Sequence, residues 1–190
     1  MPAPDVDLLA PTPPVRGRRV RLESLTTDML EPYWRMLSDR EGSRLTGTHR
    51  TFTRAEVGRW LDTRAAAAGR ADWAIVALDD GRFLGEVVLS DIDADNRSGG
   101  FRIALAGPEE YGRGYGSEAT RLVADFAFDV LGLHRLGLEV FDFNARAIAA
   151  YRRCGFVEEG RLRDALRWED EWHDTIVMGL LATDERPGGG

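Results

Sequence analysis

The stretch "EEYGRGYGSEAT", residues 109–120, places Gly112, Gly114 and Gly116 at alternate positions between a strand-like run and a helix-like run. Glycine lets the backbone adopt positive φ and approach a bulky group without a Cβ clash. The first-turn N–H groups of a helix lack intrahelical partners and carry the positive end of the helix dipole, so an anion is stabilised there. Arg113 adds a flanking positive charge. On these residues alone a plain turn competes with a phosphate cradle. A P-loop is excluded, because the chain contains no lysine to follow the glycines. A dinucleotide fingerprint fits in part: a strand carrying Glu139 follows the helix, but Ser117 stands where its third glycine belongs. The turn and the cradle both remain open at this level.

The surrounding pattern is mixed α/β. Residues 18–25 alternate like a half-buried strand, and residues 26–39 read as a helix. Thr53 and Glu56 form a capping-box pattern that opens a second helix, predicted to run to Ala68 with Gly69 closing it. Residues 72–78 and 82–92 make a hairpin around Asp79, Asp80 and Gly81. Residues 98–105 form the strand before the glycines. Leu122, Phe126 and Val130 mark one buried stripe on a helix over residues 117–131. A strand at 134–141, a short helix at 145–154 and two antiparallel strands complete the pattern. The reading is one domain of α+β type, with a mixed, mostly antiparallel sheet of about seven strands flanked by about four helices. Residues 1–15 read as a Pro-rich leader that orders only where it meets the domain at 16–183, and 184–190 as a disordered tail.

Charge and cysteine content narrow the function classes. A net charge of −7 argues against a broad nucleic-acid surface. No apolar run reaches membrane-spanning length, and the N-terminus lacks the pattern of a secretory signal. The single cysteine, Cys154, excludes an internal disulfide framework and fits a reducing, cytoplasmic setting. Acidic runs at 91–95, 109–110 and 169–171 serve either as solvated loops or as an attraction for a cationic substrate. His49, His134 and His173 are too scattered to suggest metal ligation.

The segment "NARAIAAYRRCGF" sets Asn144 and Tyr151 nearly two helical turns apart on one face. Taken singly, Asn144 reads as an N-cap and Tyr151 as a packed aromatic. Together with "EYGRGYGSEA", "LGLHRLGLEVFDFN", "AAYRRCGFVEEGRLR" and "HDTIVMGLL", the segment resembles the GCN5-related N-acetyltransferases, and within them the ribosomal-protein N-terminal and spermidine/spermine branch. "RVRLESLTTDML" and "FLGEVVLSDID" extend the resemblance more loosely over the first half.

The resemblance implies that acetyl-CoA is the co-substrate, with no metal, and that a primary amine is the acceptor. It assigns Gly112, Arg113, Gly114, Tyr115, Gly116 and Ser117 to the pyrophosphate, with Tyr111 where the family usually carries Gln or Arg. It implies that the strand before the loop splays from its neighbour around a bulge, so that Ile103, Ala104 and Leu105 pair with the pantetheine arm through their backbone. An N–H near Ile103 then stabilises the oxyanion. Asn144 joins the cofactor-binding set, and Tyr151 matches the general acid that protonates the leaving thiolate.

Glu86 is the candidate on the acceptor side, as a base or proton collector, with Asp91 and Glu109 as rivals and a surface-strand role as the alternative. Cys154 reads as a packed helix-end residue. Ala147 stands where some members acting on ribosomal N-termini carry serine, and "LTGTHRTFT" lacks the acidic cluster expected of a polyamine enzyme, so the acceptor stays open. Two other functions stay in view: the same scaffold using another acyl-CoA, and a non-catalytic CoA sensor or interaction module. A homodimer is expected from the family and from strand edges that need covering.

Overall fold

The computed structural model describes residues 4–64 and 66–187. Its centre is one eight-stranded sheet in the order β1-β2-β3-β4-β5-β6-β8-β7. The strands are β1 (Val15–Arg16), β2 (Val20–Ser24), β3 (Ala71–Ala77), β4 (Phe83–Asp93), β5 (Ser98–Leu105), β6 (Arg135–Phe141), β7 (Val157–Trp168) and β8 (Glu171–Leu181). Every neighbouring pair is antiparallel except β5 and β6. Five α-helices pack on it: α1 (Leu30–Leu37), α2 (Arg40–Thr46), α3 (Arg54–Leu61), α4 (Tyr115–Asp125) and α5 (Ala145–Arg153). The architecture is that of the sequence reading with one more strand, the short β1, and one more helix, α2.

Two apolar clusters lie on opposite sides of the sheet, as alternation along β3 requires. Trp73 and Ile75 join α4 and α5 on one face, while Ala74 and Val76 join α1 and α3 on the other. Both faces of β3 are covered, so all seven of its residues are buried. β7 forms the far edge of the sheet, and Leu166 is its one buried residue.

Local chemistry explains most helix boundaries. Thr53 and Glu56 close the predicted capping box at α3. The helix ends at Leu61 rather than Ala68, because Ala66 and Ala68 are exposed and find no apolar surface to pack on. The unpredicted α2 is capped at its start by Asp39, whose carboxylate accepts from the Gly42 N–H at 2.6 Å, and at its end by left-handed Gly47. Gly42 and Ser43 within seven residues hid it from a propensity reading. α4 begins at Tyr115, two residues earlier than predicted, and continues into a π-helical turn over Phe126–Val130. That turn shifts the helical register, so Val130 is exposed. Of the expected stripe, Phe126 is buried edge-on to Trp73 and Leu122 is half-buried against the same core, and the buried face also takes in Tyr115, Ala119, Val123, Ala124 and Ala127.

The segment before residue 16 is built into the core. Leu9 is fully buried, the Trp73 indole donates to the Pro13 carbonyl at 2.6 Å, and Ser24 Oγ donates to the Thr12 carbonyl at 2.9 Å. At the other end, Arg186 pairs with Asp125 and Asp129. Of the tail expected to be disordered over 184–190, residues 184–187 are described, with Arg186 in that pairing and Asp184 accepting from the Leu181 N–H, while 188–190 lie outside the described residues. If the first segment contributes to the core as its packing indicates, Leu9→Ala lowers unfolding free energy by about 2–5 kcal/mol. Denaturant unfolding of both proteins measures this, and a change below about 0.5 kcal/mol is the outcome expected of a loosely attached leader.

Candidate active site

The parallel pairing of β5 with β6 covers only Ser98↔Arg135, Gly99↔Leu136 and Gly100↔Gly137. Beyond Gly100 the two strands part, and a cleft of about 1170 Å³ opens between them. β5 keeps its pairing to β4 through Val87↔Ile103, Glu86↔Ala104 and Gly85↔Leu105, so its far edge faces the cleft with no strand beside it. The expected splay is therefore present. The expected bulge is not at this point: the β4–β5 register shifts at the other end, between Ser90 and Asp93.

The glycine loop sits above this opening. Gly114 caps α4 with φ 85°, a conformation that L side chains rarely adopt, and no side chain caps the helix. Its first-turn N–H groups are thus left for a ligand or for water. Two arginines hold the loop. Arg19 donates to the Arg113 carbonyl at 2.6 Å and lies over the Tyr115 ring, while Arg82 bonds Glu110 at 3.1 Å and contacts the Tyr115 hydroxyl at 3.4 Å. Glu118, one helical turn in, accepts from the N–H groups of Arg18, Arg19 and Val20 at 2.6, 2.9 and 3.4 Å. This ties the start of β2 to the helix.

Of the predicted residues, Ile103, Ala104, Leu105, Gly112, Gly114, Gly116, Ser117, Asn144 and Tyr151 line the cleft. Arg113 and Tyr115 do not: the Arg113 side chain is exposed, and Tyr115 is buried beneath Arg19 and Arg82 as an anchor for the loop. Asn144 caps α5, its Oδ1 accepting from the Ala147 N–H at 3.2 Å. Tyr151 is buried, edge-on to Phe101 at 6.2 Å, and its hydroxyl makes no hydrogen bond among the described residues. Burial pushes its phenol well above the usual value, so the proton stays on at neutral pH. Cys154 lies in the core, with its thiol donating to the Ser117 carbonyl at 3.5 Å.

Sequence reasoning missed the arginines of the cleft wall. Arg18, Arg19, Arg121, Arg146 and Arg153 come from β2's approach, α4 and α5. The lining also holds Glu110, Glu118, Asp125 and Glu139. Glu110 and Asp125 are paired with Arg82 and Arg186 and Glu118 is taken by backbone N–H groups, which leaves arginine in excess along this cleft of a chain of net charge −7. Arg121 lies four residues, about one helical turn, after Ser117 of the loop, the one signal that pointed to any of them. Arg146 lies 3.8 Å from the centre of the Tyr111 ring. Tyr111 thereby stations a guanidinium beside the loop where the family usually carries a polar or basic side chain.

A second cavity of about 450 Å³ meets the cleft at Gly42, Thr46, Arg102, Ala104 and Leu105. Glu86 lies in its wall and is buried, which removes the surface-strand reading. Its Oε2 accepts from the Tyr33 hydroxyl at 2.7 Å, and its Oε1 faces Arg102 Nη2 at 3.3 Å. The neighbouring Gly85 has φ 147°, and a β-carbon there would collide with the Ala104 carbonyl. Glycine thus lets β4 press against β5 beside the carboxylate. Asp91 and Glu109, the rival bases, line neither cavity. Among the described residues, no helix is long and apolar enough to cross a membrane.

Fold and cleft together define a class: a mixed α/β domain whose sheet parts beside an uncapped helix N-terminus. The chain belongs to the acetyltransferase (GNAT) domain family, whose profile matches residues 19–157. It is 35% identical over 98 residues to a spermidine N(1)-acetyltransferase of Vibrio cholerae, an alignment covering 52% of this chain. It is 34% identical over 106 residues to a putative ribosomal N-acetyltransferase, YdaF, of Bacillus subtilis, covering 55%. The chain spans 56% of the length of each of these relatives. The crystal structure of spermidine N-acetyltransferase from Vibrio cholerae in complex with CoA and spermine has a like fold. Its TM-score is 0.80 at 23% identity, over 87% of this chain and 96% of that one.

The burial of Glu86 has a pH consequence. Desolvation raises its pKa above the usual glutamate value, with Arg102 and Tyr33 opposing. A carboxyl raised on folding contributes stability below its unfolded pKa and loses it as pH rises through the folded one. Glu86→Gln cannot ionise. Its stability relative to the native chain is therefore expected to improve as pH climbs from about 4.5 towards neutrality. Melting temperatures of both proteins across this range check it, and parallel pH profiles are the contrary result.

Proposed function

We propose that this protein is an N-acetyltransferase that moves an acetyl group from acetyl-CoA to a primary amine by direct attack in a ternary complex. The observation that carries the reading is the parting of β5 from β6 beneath an uncapped helix N-terminus, with Tyr151 on the opposite wall. Gly112, Gly114, Gly116 and Ser117 are the residues that would receive the pyrophosphate, through N–H groups and the helix dipole. Arg18, Arg19, Arg121, Arg146 and Arg153 offer charge for the remaining phosphate oxygens. The free edge of Ile103, Ala104 and Leu105 fits an extended amide chain lying beside it like an added strand, and an N–H near Ile103 would polarise the thioester carbonyl. Asn144 serves by holding the start of α5, and with it Tyr151, against the cleft.

In the reaction, the amine nitrogen bonds the thioester carbonyl carbon and the carbon–sulfur bond breaks. An alkylammonium must first lose a proton, since its pKa is about 10. Glu86, in the acceptor cavity and joined to Tyr33, is the group that would collect it, directly or through water. Tyr151 would give its proton to the departing thiolate. Its high phenol pKa means that the proton is still present at neutral pH when sulfur takes on charge.

A homodimer in a reducing cytoplasm belongs to the same proposal. β7 presents a twelve-residue outer edge, with Val157 and Leu162 exposed on it and Trp172 exposed on β8, and such edges call for a covering partner. Light scattering is expected to return twice the chain mass, and a monomeric mass over a tenfold concentration range removes this part.

The reaction is tested by thiol release from acetyl-CoA with a panel of amines, together with mass spectrometry of acetylated products. Tyr151→Phe keeps the ring against Phe101 but deletes the donor. Turnover is expected to fall by about 10²–10⁴-fold, with acetyl-CoA affinity nearly unchanged by calorimetry. Turnover within about threefold of native, a barrier change under 1 kcal/mol, removes Tyr151 from the acid role.

A further inference from the structure

The second cavity has a composition that discriminates among amines. Tyr33 stacks on Trp60 with ring centroids 5.3 Å apart and an interplanar angle of 13°, and Phe83, which does not itself line the cavity, supports Tyr33 edge-on at 6.1 Å. Met36, Leu37, Phe52 and Val57 extend the apolar lining. The ionisable groups in the wall are Glu56, Glu86, Arg50, Arg59 and Arg102. Glu56 is committed: its Oε2 accepts from the Thr53 N–H and hydroxyl, each at 2.8 Å, and its Oε1 is paired with Arg50. One carboxylate, Glu86, is left to receive a cation, and it already faces Arg102. Arg59 is exposed and makes no ion pair among the described residues.

A polyamine brings two or more ammonium groups and needs a carboxylate or carbonyl for each. Here one carboxylate is available, and the remaining charge at the mouth is positive. A molecule with an amine at one end and a carboxylate at the other meets the opposite situation. Its ammonium takes the place of Arg102 on Glu86, and its carboxylate takes Arg102 in turn, so one ion pair becomes two and neither end of the ligand is left uncompensated. The Arg102–Glu86 contact suits such an exchange. At 3.3 Å it is longer than the 2.7–2.9 Å typical of a charge-assisted bond, and the Arg102 side chain is 58% exposed against 6% for Glu86. The guanidinium can turn outward at little solvation cost. The aromatic lining then accommodates an apolar body between the two charged ends.

We propose that the acceptor is a small amine with an aromatic or apolar body that also carries a carboxylate, and that Arg102 is the residue that selects for that carboxylate. The inference rests on the acetyl-transfer reading for the chemistry at the amine, and it goes further by excluding polyamines as the preferred acceptors.

Three probes decide it: phenylalanyl-glycine, its C-terminal amide, and spermidine. The two dipeptides have like amines and differ in charge at the far end. Each is titrated calorimetrically into the CoA-saturated protein and assayed by thiol release from acetyl-CoA. The acid is expected to bind about tenfold or more tightly than the amide, as a charge-assisted hydrogen bond allows, with spermidine weakest and lowest in kcat/KM. Arg102→Gln should bring acid and amide within about threefold of each other, a ratio that a merely structural arginine would leave alone. Spermidine binding tightest, equal affinity for acid and amide in the native protein, or no binding of either dipeptide at millimolar concentration each overturns the proposal. If acetyl-CoA yields no thiol with any acceptor, the acetyl-transfer reading fails instead, and calorimetry still ranks the three probes.

Discussion

Three residue pairs of parallel sheet, Ser98 to Gly100 against Arg135 to Gly137, carry the geometry on which everything else depends. Had the pairing continued, β5 would have spent its second edge on β6 and no cleft would exist. Because it stops, the backbone from Phe101 to Leu105 is held straight by β4 on one side and left open on the other. A parallel connection needs a crossover, and here that crossover contains the glycine loop and α4. The same topological choice therefore makes the open edge and puts a helix N-terminus at its mouth. This is the arrangement in which ligands bind outside the carboxyl ends of parallel strands.

The loop alone would not hold that N-terminus in place. Glycines at 112, 114 and 116 remove clashes and also remove conformational restraint. Restraint comes from distant residues. Glu118 binds three successive backbone N–H groups at the entry to β2, Arg19 returns to the Arg113 carbonyl, and Arg82 joins Glu110 from the β3–β4 hairpin. With charged partners among these contacts, each is worth more than a neutral hydrogen bond. A mobile-looking glycine segment is thus held in one conformation by the folded chain, with its ordering cost met on folding.

Around the second cavity, α1 and α3 supply an aromatic wall and β4 supplies one buried carboxylate. α2 lies where the two cavities meet, with Gly42 and Thr46 facing both. It is fastened to the far end of the sheet: Arg40 pairs with Glu169, and Arg44 lies over the Phe143 ring at 4.1 Å. The helix at the junction of the two cavities thus touches both the β7–β8 turn and the loop after β6.

Much of this was determined by local sequence. Period-two runs specified the strands, Thr53 and Glu56 specified a helix start, and the glycines, Asn144 and Tyr151 marked one wall of the cleft, because each of these signals acts over a few neighbouring residues. What only the tertiary structure decided was the meeting of segments far apart in the chain. Arg18 and Arg19 reach the cleft across about a hundred residues through Glu118, and Leu9 enters the core beside Trp73. Tyr33 finds Glu86 fifty-three positions away. The buried face of α4 keeps Phe126 from the sequence pattern but turns Val130 outward through the π-helical turn and adds small alanines pressed on the sheet. Tyr115, legible as a loop residue, became an anchor under two arginines. Periodicity and capping are properties of adjacent residues, whereas charge pairing and burial depend on which surfaces the sheet brings together, and no local pattern encodes that.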